Sequence, residues 1–170
     1  KGFANLVESK DSSTGEHIKS TSEYVRLLCK TLQKKGLYKE ELSDENIHYM
    51  VMAAPLHDLG KISVSDAILT KPGELTIDEF GAIKLHPKYG AQLIEDNLSE
   101  VEDALFTNTA RKMDLYHHEK WDGTGYPEGL AGEEIPLCAR IMAVADVLDA
   151  LLSERPYNSP YPMDTVFRIM

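Results

Sequence analysis

From Thr14 to about Lys35 the apolar positions Ile18, Val25, Leu28 and Leu32 recur at helical spacing, and Gly36 follows as a stop. This predicts a first helix with His17 near its start. Ser43 stands where a cap is needed for a second helix, whose apolar set includes Ile47, Met50, Val51 and Ala54. That pattern runs on into His57 and Asp58, with Pro55 loosening the last turn and Gly60 ending it. Lys71, Pro72 and Gly73 read as a turn, after which Thr76 and Glu79 have capping-box spacing. The helix they open carries Ile83 and Leu85 toward His86, where Pro87 either starts a fresh helix or bends the old one before Ala91, Leu93 and Ile94. Ser99 and Glu102 repeat the capping-box pattern ahead of a helix through Leu105 and Ala110 to Leu115, which ends in Tyr116, His117, His118 and Glu119.

The pattern then breaks. From Trp121 to Glu134 the chain holds Gly123, Gly125, Gly129, Gly132 and Pro127, too many breakers for a regular element and the mark of a long ordered loop. Pro136 opens a helix with Ile141, Val144, Ala145, Leu148 and Leu152 on its apolar side; it carries Asp146 and Asp149, and Pro156 closes it. Asp164 to Met170 begins one more helix. No strand pair and no internal repeat appears, so the expectation is an all-α bundle forming one domain over residues 1–170.

Composition narrows the function classes. A chain of 170 residues with 42% hydrophobic content can bury a proper core. No run reaches the roughly 18 apolar residues of a membrane helix, and the start has no signal-peptide core, so a cytoplasmic protein is expected. A net charge of -10 argues against broad DNA, RNA or anionic-membrane binding, which needs a basic face, but not against a small phosphorylated substrate. Cys29 and Cys138 lie in apolar helical contexts without metal-type spacing and are expected to be buried thiols.

The chemistry is concentrated in histidine. Of 6 histidines, five (His17, His57, His86, His117 and His118) fall at helix ends or junctions, together with Asp58 and Asp146. A mixed imidazole and carboxylate set of this size suits two first-row divalent ions rather than a closed thiolate zinc site. Two cations a few Å apart need an anion between them, a role open to Asp58, and water activated there could attack a phosphorus in line with its leaving oxygen. The sixth, His48, is expected to be a satisfied core residue. His117 and His118 point in different directions on a helix, so one of them could be a supporting or structural residue. Asp146, inside an apolar run, needs a partner, which favours a ligand role; Asp149, three residues on, suits support of a ligand better than ligation.

These residues stand in a specific order. His17 follows Thr14 and Gly15; then come His57, Asp58, Leu59, Gly60 and Lys61, the Lys71–Gly73 turn with Leu75 and Thr76, and His86 with Gly90. His117, His118, Glu119, Trp121 and Asp122 through Pro127 follow, then Gly129, Leu130, Gly132, Ile135, Pro136, Ala139, Arg140, Val144 to Asp146, and Arg155 to Tyr157. Over nearly its whole length the chain resembles the HD-GYP domain, a subgroup of the HD metal-dependent phosphohydrolases similar to cyclic di-GMP phosphodiesterases. The resemblance implies an HD-type helical bundle with a Gly-Tyr-Pro loop. It implies one metal site from His17, His57, Asp58 and Asp146 and a second from His86, His117 and His118 sharing Asp58. Lys61 would contact the scissile phosphate, with Arg140 and Tyr126 also placed for substrate, so that Asp58 and Lys61 are the catalytic pair.

Two metals are expected, iron or manganese ahead of nickel or zinc, since Ser13 stands where some members have a glutamate for a third. Ser20 likewise replaces a common arginine. The expected reaction opens cyclic di-GMP to pGpG, with GMP as a further product. The alternatives are a degenerate module that binds a cyclic dinucleotide or a GGDEF-domain protein without turnover, and a cyclic GMP-AMP hydrolase. The loop around Gly125, Tyr126 and Pro127 is implicated in contacts with GGDEF domains, or it shapes the pocket. The resemblance also implies further helices after Met170 and fusion to a sensory domain.

Overall fold

A computed structural model describes residues 15–98, 103–153 and 160–170. Within them every named element is helical: α1 (Gly15–Lys34), α2 (Asp44–Ala53), α3 (Asp66–Leu69), α4 (Ile77–Ile83), α5 (His86–Leu98), α6 (Ala104–Tyr116), α7 (Leu137–Leu152) and α8 (Met163–Ile169). Short 3-10 turns occupy Ala54–Leu56, Leu59–Ser63 and Gly132–Glu134. The all-α expectation therefore holds, and α1, α2, α6 and α7 pack around one core with α5 against α6. None of these helices is long and apolar enough to cross a membrane.

Local signals explain most boundaries. Gly36 takes a φ of 72° just past α1, the left-handed conformation that a helix stop favours. The Ser43 hydroxyl accepts the Asn46 amide at the start of α2. Thr76 and Glu79 form the full capping box of α4, and Glu79 also pairs with Lys71 at 2.6 Å. Pro87 belongs to a new helix, so His86 does sit at a junction. The Ser99–Glu102 capping box and Arg155–Tyr157 lie outside the described residues, as do Ser13 and Thr14; α6 starts at Ala104, where the Asp103 carboxylate accepts the Leu105 amide.

The core is filled by Val25 and Cys29 of α1, Ile47 and Met50 of α2, Ile94 of α5, Met113 of α6, and Met142 and Ala145 of α7, all buried. Cys29 lies 3.7 Å from the Met50 sulfur, and both cysteines are free and buried, with burial pushing each thiol up to about 11. His48 is the exception: it is exposed beside Tyr49 and is not a core residue. On α2 it lies next to the buried Ile47 yet points to solvent, because residues one apart face different sides of a helix.

The second helix also ends earlier than its pattern predicts. After Ala53 the backbone tightens to 3-10 geometry around Pro55, and His57 and Asp58 lie in a turn between two such segments. Gly60 does not end a helix; it lets this turn press against α5. A Cβ there would stand 1.8 Å from the His86 carbonyl oxygen and 2.5 Å from the Gly90 nitrogen, both backbone atoms that cannot swing aside. Gly60→Ala is expected to destabilise the fold by about 3 kcal/mol or more, the scale of severe overpacking. Urea unfolding would check this, and a loss under about 1 kcal/mol would show that the turn relaxes freely.

Candidate metal centre

Three of the histidines are set by one repeated device. His57 Nδ1 lies 2.7 Å from the Ala54 carbonyl oxygen, His86 Nδ1 2.7 Å from that of Ile83, and His117 Nδ1 2.6 Å from that of Asp114. Each ring stands just after a helical turn and uses the carbonyl three residues back, at an ending where carbonyls have acceptor capacity to spare. A carbonyl only accepts, so Nδ1 must carry the proton, and each Nε2 presents a lone pair to the interior. His17, in the first turn of α1, is oriented by a side chain instead: its Nδ1 meets the Asp149 carboxylate at 2.5 Å, and Asp149 also accepts the Ser153 hydroxyl at 3.1 Å. Asp149 thus supports a histidine, as the sequence favoured.

These rings converge on Asp58. Its Oδ1 lies 3.2 Å from His86 Nε2 and 3.7 Å from His117 Nε2, while its Oδ2 lies 3.3 Å from His57 Nε2 and 2.9 Å from Lys61 Nζ. Asp146 Oδ1 is 3.9 Å from both His17 and His57. The potential ligand atoms fall into two groups, Asp58 with His86, His117 and His118, and His17 with His57 and Asp146, each with all atoms within 4.8 Å of one another. All seven sequence-predicted ligand residues are brought together, including both His117 and His118. The helix stops at Tyr116, so the two rings do not follow helical directions and lie with centroids 4.0 Å apart.

Four buried atoms of the pocket have no protein partner. His57 Nε2, His86 Nε2, His117 Nε2 and Asp58 Oδ1 are buried without a hydrogen bond. Acceptor faces acceptor, an arrangement that is costly unless a cation lies between them. The donor set fits a divalent metal on this ground. Without one, a proton stands in: burial opposes charge on His57, yet Asp58 and Asp146 beside it hold its pKa up to about 9. Burial also raises Asp58, but Lys61 and His57 outweigh it and keep the carboxylate well below its ordinary range. His118, desolvated and beside His117 and His86, is pushed down to about 2.

The glycine-rich loop closes one side. Gly125 lets it lie against the end of α6, for a Cβ there would meet the Lys120 nitrogen at 2.4 Å and the His118 carbonyl oxygen at 2.6 Å. Tyr126 consequently stacks on His118, centroids 4.8 Å apart, and burial near Asp58 raises its hydroxyl to about 12. Glu119, buried, accepts the amides of Glu128, Gly129 and Leu130 at 2.8, 3.1 and 3.0 Å and so fastens the loop. No role was assigned to Glu119 from sequence; the available signal was an acidic residue directly before a loop rich in amides and poor in partners. Arg140 lies under Tyr38 and Trp121, 5.4 and 5.8 Å from their ring centres, with its Nε buried and unbonded. No carboxylate pairs with it among the described residues, and its contacts are with those rings rather than with the seven.

The profile of the HD domain family matches residues 1–170. A cyclic di-GMP phosphodiesterase of Vibrio cholerae is 45% identical over 94% of this chain and 32% of its own length. The cyclic di-GMP phosphodiesterase response regulator RpfG of Xanthomonas campestris is 43% identical over 95% of this chain and 39% of its own. The chain belongs to the HD-GYP branch of the HD domain family. A 3'3'-cGAMP-specific phosphodiesterase of Vibrio cholerae is also similar to this HD-GYP domain, at 37% identity over 94% of the chain and 28% of the relative. The domain spans about a third of the length of these curated relatives.

Two outcomes test this geometry. His57 ordinarily titrates near 6.5 and is raised to about 9, so its proton competes with metal below that pH. Metal affinity of the HD-GYP domain should climb between pH 6.5 and about 9 and then level off, while in the metal-free fold the stability lent by protonated His57 is complete below 6.5 and lost through 9. Chelator competition across this range checks it; a flat profile would remove His57 from the ligands. Glu119→Gln should cost about 2 kcal/mol and expose the amides of residues 128–130 to faster hydrogen exchange, with the α1–α2 core protected as before.

Proposed function

We propose that this HD-GYP domain is a metal-dependent phosphodiesterase that opens the ring of cyclic di-GMP to linear pGpG, with GMP as a further product. One observation carries the reading: seven imidazole and carboxylate residues from five segments come together around Asp58, and the Nε2 atoms of His57, His86 and His117 and the Asp58 Oδ1 are buried there without a hydrogen-bond partner. His17, His57 and Asp146 would hold one divalent ion and His86, His117 and His118 a second, with Asp58 shared, iron or manganese being the expected metals. Ions there would supply Lewis acidity and lower the pKa of water for in-line displacement at phosphorus.

The chain's own residues do the rest. The Nδ1 bonds fix one proton on Nδ1 and keep each Nε2 aimed, so little reorganisation is needed when substrate enters. Lys61, partly exposed and 2.9 Å from Asp58, places a compact positive charge where the scissile phosphate must lie and offsets charge developing on its oxygens. Tyr126 walls the pocket over His118, and Arg140, held under Trp121, is the more distant candidate for substrate contact. In this reading Trp121, 63% exposed, offers the loop's outward face to a GGDEF-domain partner, and a sensory domain elsewhere in the full protein governs the cytoplasmic enzyme.

Incubating iron- or manganese-loaded domain with cyclic di-GMP and 3'3'-cGAMP, and following products chromatographically, tests the reading. pGpG should appear, faster than any product from the mixed dinucleotide. Intact cyclic di-GMP at full metal occupancy would leave a binding module instead. Lys61→Ala should lower kcat by about a hundredfold with metal content unchanged, as expected for loss of one charge-stabilising group.

A further inference from the structure

Among the described residues, Lys84 is a cation held by rings alone. Its Nζ lies 4.8 Å from the centre of Phe80 and 5.3 Å from that of Tyr126, whose other neighbour is His118 in the metal cluster. Lys61 and Lys71 are tied to Asp58 and Glu79, but Lys84 makes no ion pair with a described residue. In a chain of net charge -10, this leaves an uncompensated positive group one aromatic ring away from the proposed ligands. An aromatic face attracts an ammonium and fixes its place, yet unlike a carboxylate it does not occupy the N–H donors. Those donors stay free for an anion.

We propose that Lys84, clamped by Phe80 and Tyr126, receives the phosphate of the cyclic dinucleotide that is not being cut. This rests on the functional reading above. A cyclic dinucleotide carries two phosphodiesters, each with one negative charge. The one being hydrolysed is served by the metals and Lys61; the ring holds the other at a fixed remove, where it needs its own cation. A compact ammonium is suited to a phosphodiester oxygen at the pocket rim, and it would distinguish a cyclic dinucleotide from a phosphodiester with a single phosphate. Phe80, 46% exposed, acts here as a positioning residue that keeps the ammonium from swinging into solvent.

Steady-state kinetics of the metal-loaded protein on cyclic di-GMP and on bis(p-nitrophenyl) phosphate, which has one phosphodiester, would test this. Lys84→Ala should raise KM for cyclic di-GMP about tenfold or more, the scale of one charge-assisted hydrogen bond, with kcat nearly unchanged. Metal content and cleavage of the single-phosphate substrate should not move. Lys84→Arg should restore most of the KM, and Phe80→Ala should shift it part of the way. If Lys84 only braces Tyr126 over His118, Lys84→Ala will impair both substrates alike, and the assignment falls. Unchanged KM for cyclic di-GMP in an active protein removes Lys84 alone, whereas a metal-loaded wild-type protein that leaves cyclic dinucleotides intact removes the phosphodiesterase reading and Lys84's role with it.

Discussion

Everything in the site turns on the Asp58 carboxylate. Its two oxygens face in two directions, one toward His86 and His117 and one toward His57 and Lys61, so a single partly buried anion is common to both groups of imidazoles. That position is sustainable because the surrounding charges favour it: Lys61 and His57 overcome the desolvation that would otherwise protonate it. Removing the anion would leave the buried Nε2 lone pairs of His57, His86 and His117 facing one another. The short 3-10 segments on either side of Asp58 give the chain the tight turn needed to bring this residue under α5, with Gly60 as the point of closest approach.

A fully buried carboxylate lies close behind Asp58. Asp114 is fully buried next to Gly90, with neither oxygen in a side-chain hydrogen bond, and burial together with the charge of Asp58 holds its pKa well above the ordinary value. A neutral Asp114 does not add to the negative potential at Asp58, and the backbone carbonyl of the same residue orients His117. Side chain and main chain of one residue therefore serve the centre in different ways.

Much of the bundle was legible because helix boundaries are written locally. Ser43, the Thr76–Glu79 pair, Gly36, Pro87 and Pro136 act within a turn of where they stand, and each marks the boundary it predicts. The end of α2 was legible only in part: Pro55 marks where the helix tightens to 3-10 geometry, but the close approach of Gly60 to His86 is a contact between segments with no local signal. The exposure of His48 was missed for a related reason: its neighbours are apolar, but only the packed helix decides which side faces water. The seven potential ligands could be picked out by type and order, but of their supports only Asp149 could. Carbonyl acceptors have no side-chain signature, and Lys84, Phe80 and Tyr126 meet across more than forty residues of chain.

The bond between His17 and Asp149 has a mechanical side. It joins two residues 132 positions apart, one in the opening turn of α1 and the other near the end of α7. A helix is stiff along its axis, so a push or twist applied near Gly15 is delivered to an imidazole of the candidate metal cluster instead of being absorbed in a slack loop. The opening of α1 is in that sense a handle on that ring, and because Val25 and Cys29 stand on the same rigid helix, the core they fill resists any such displacement.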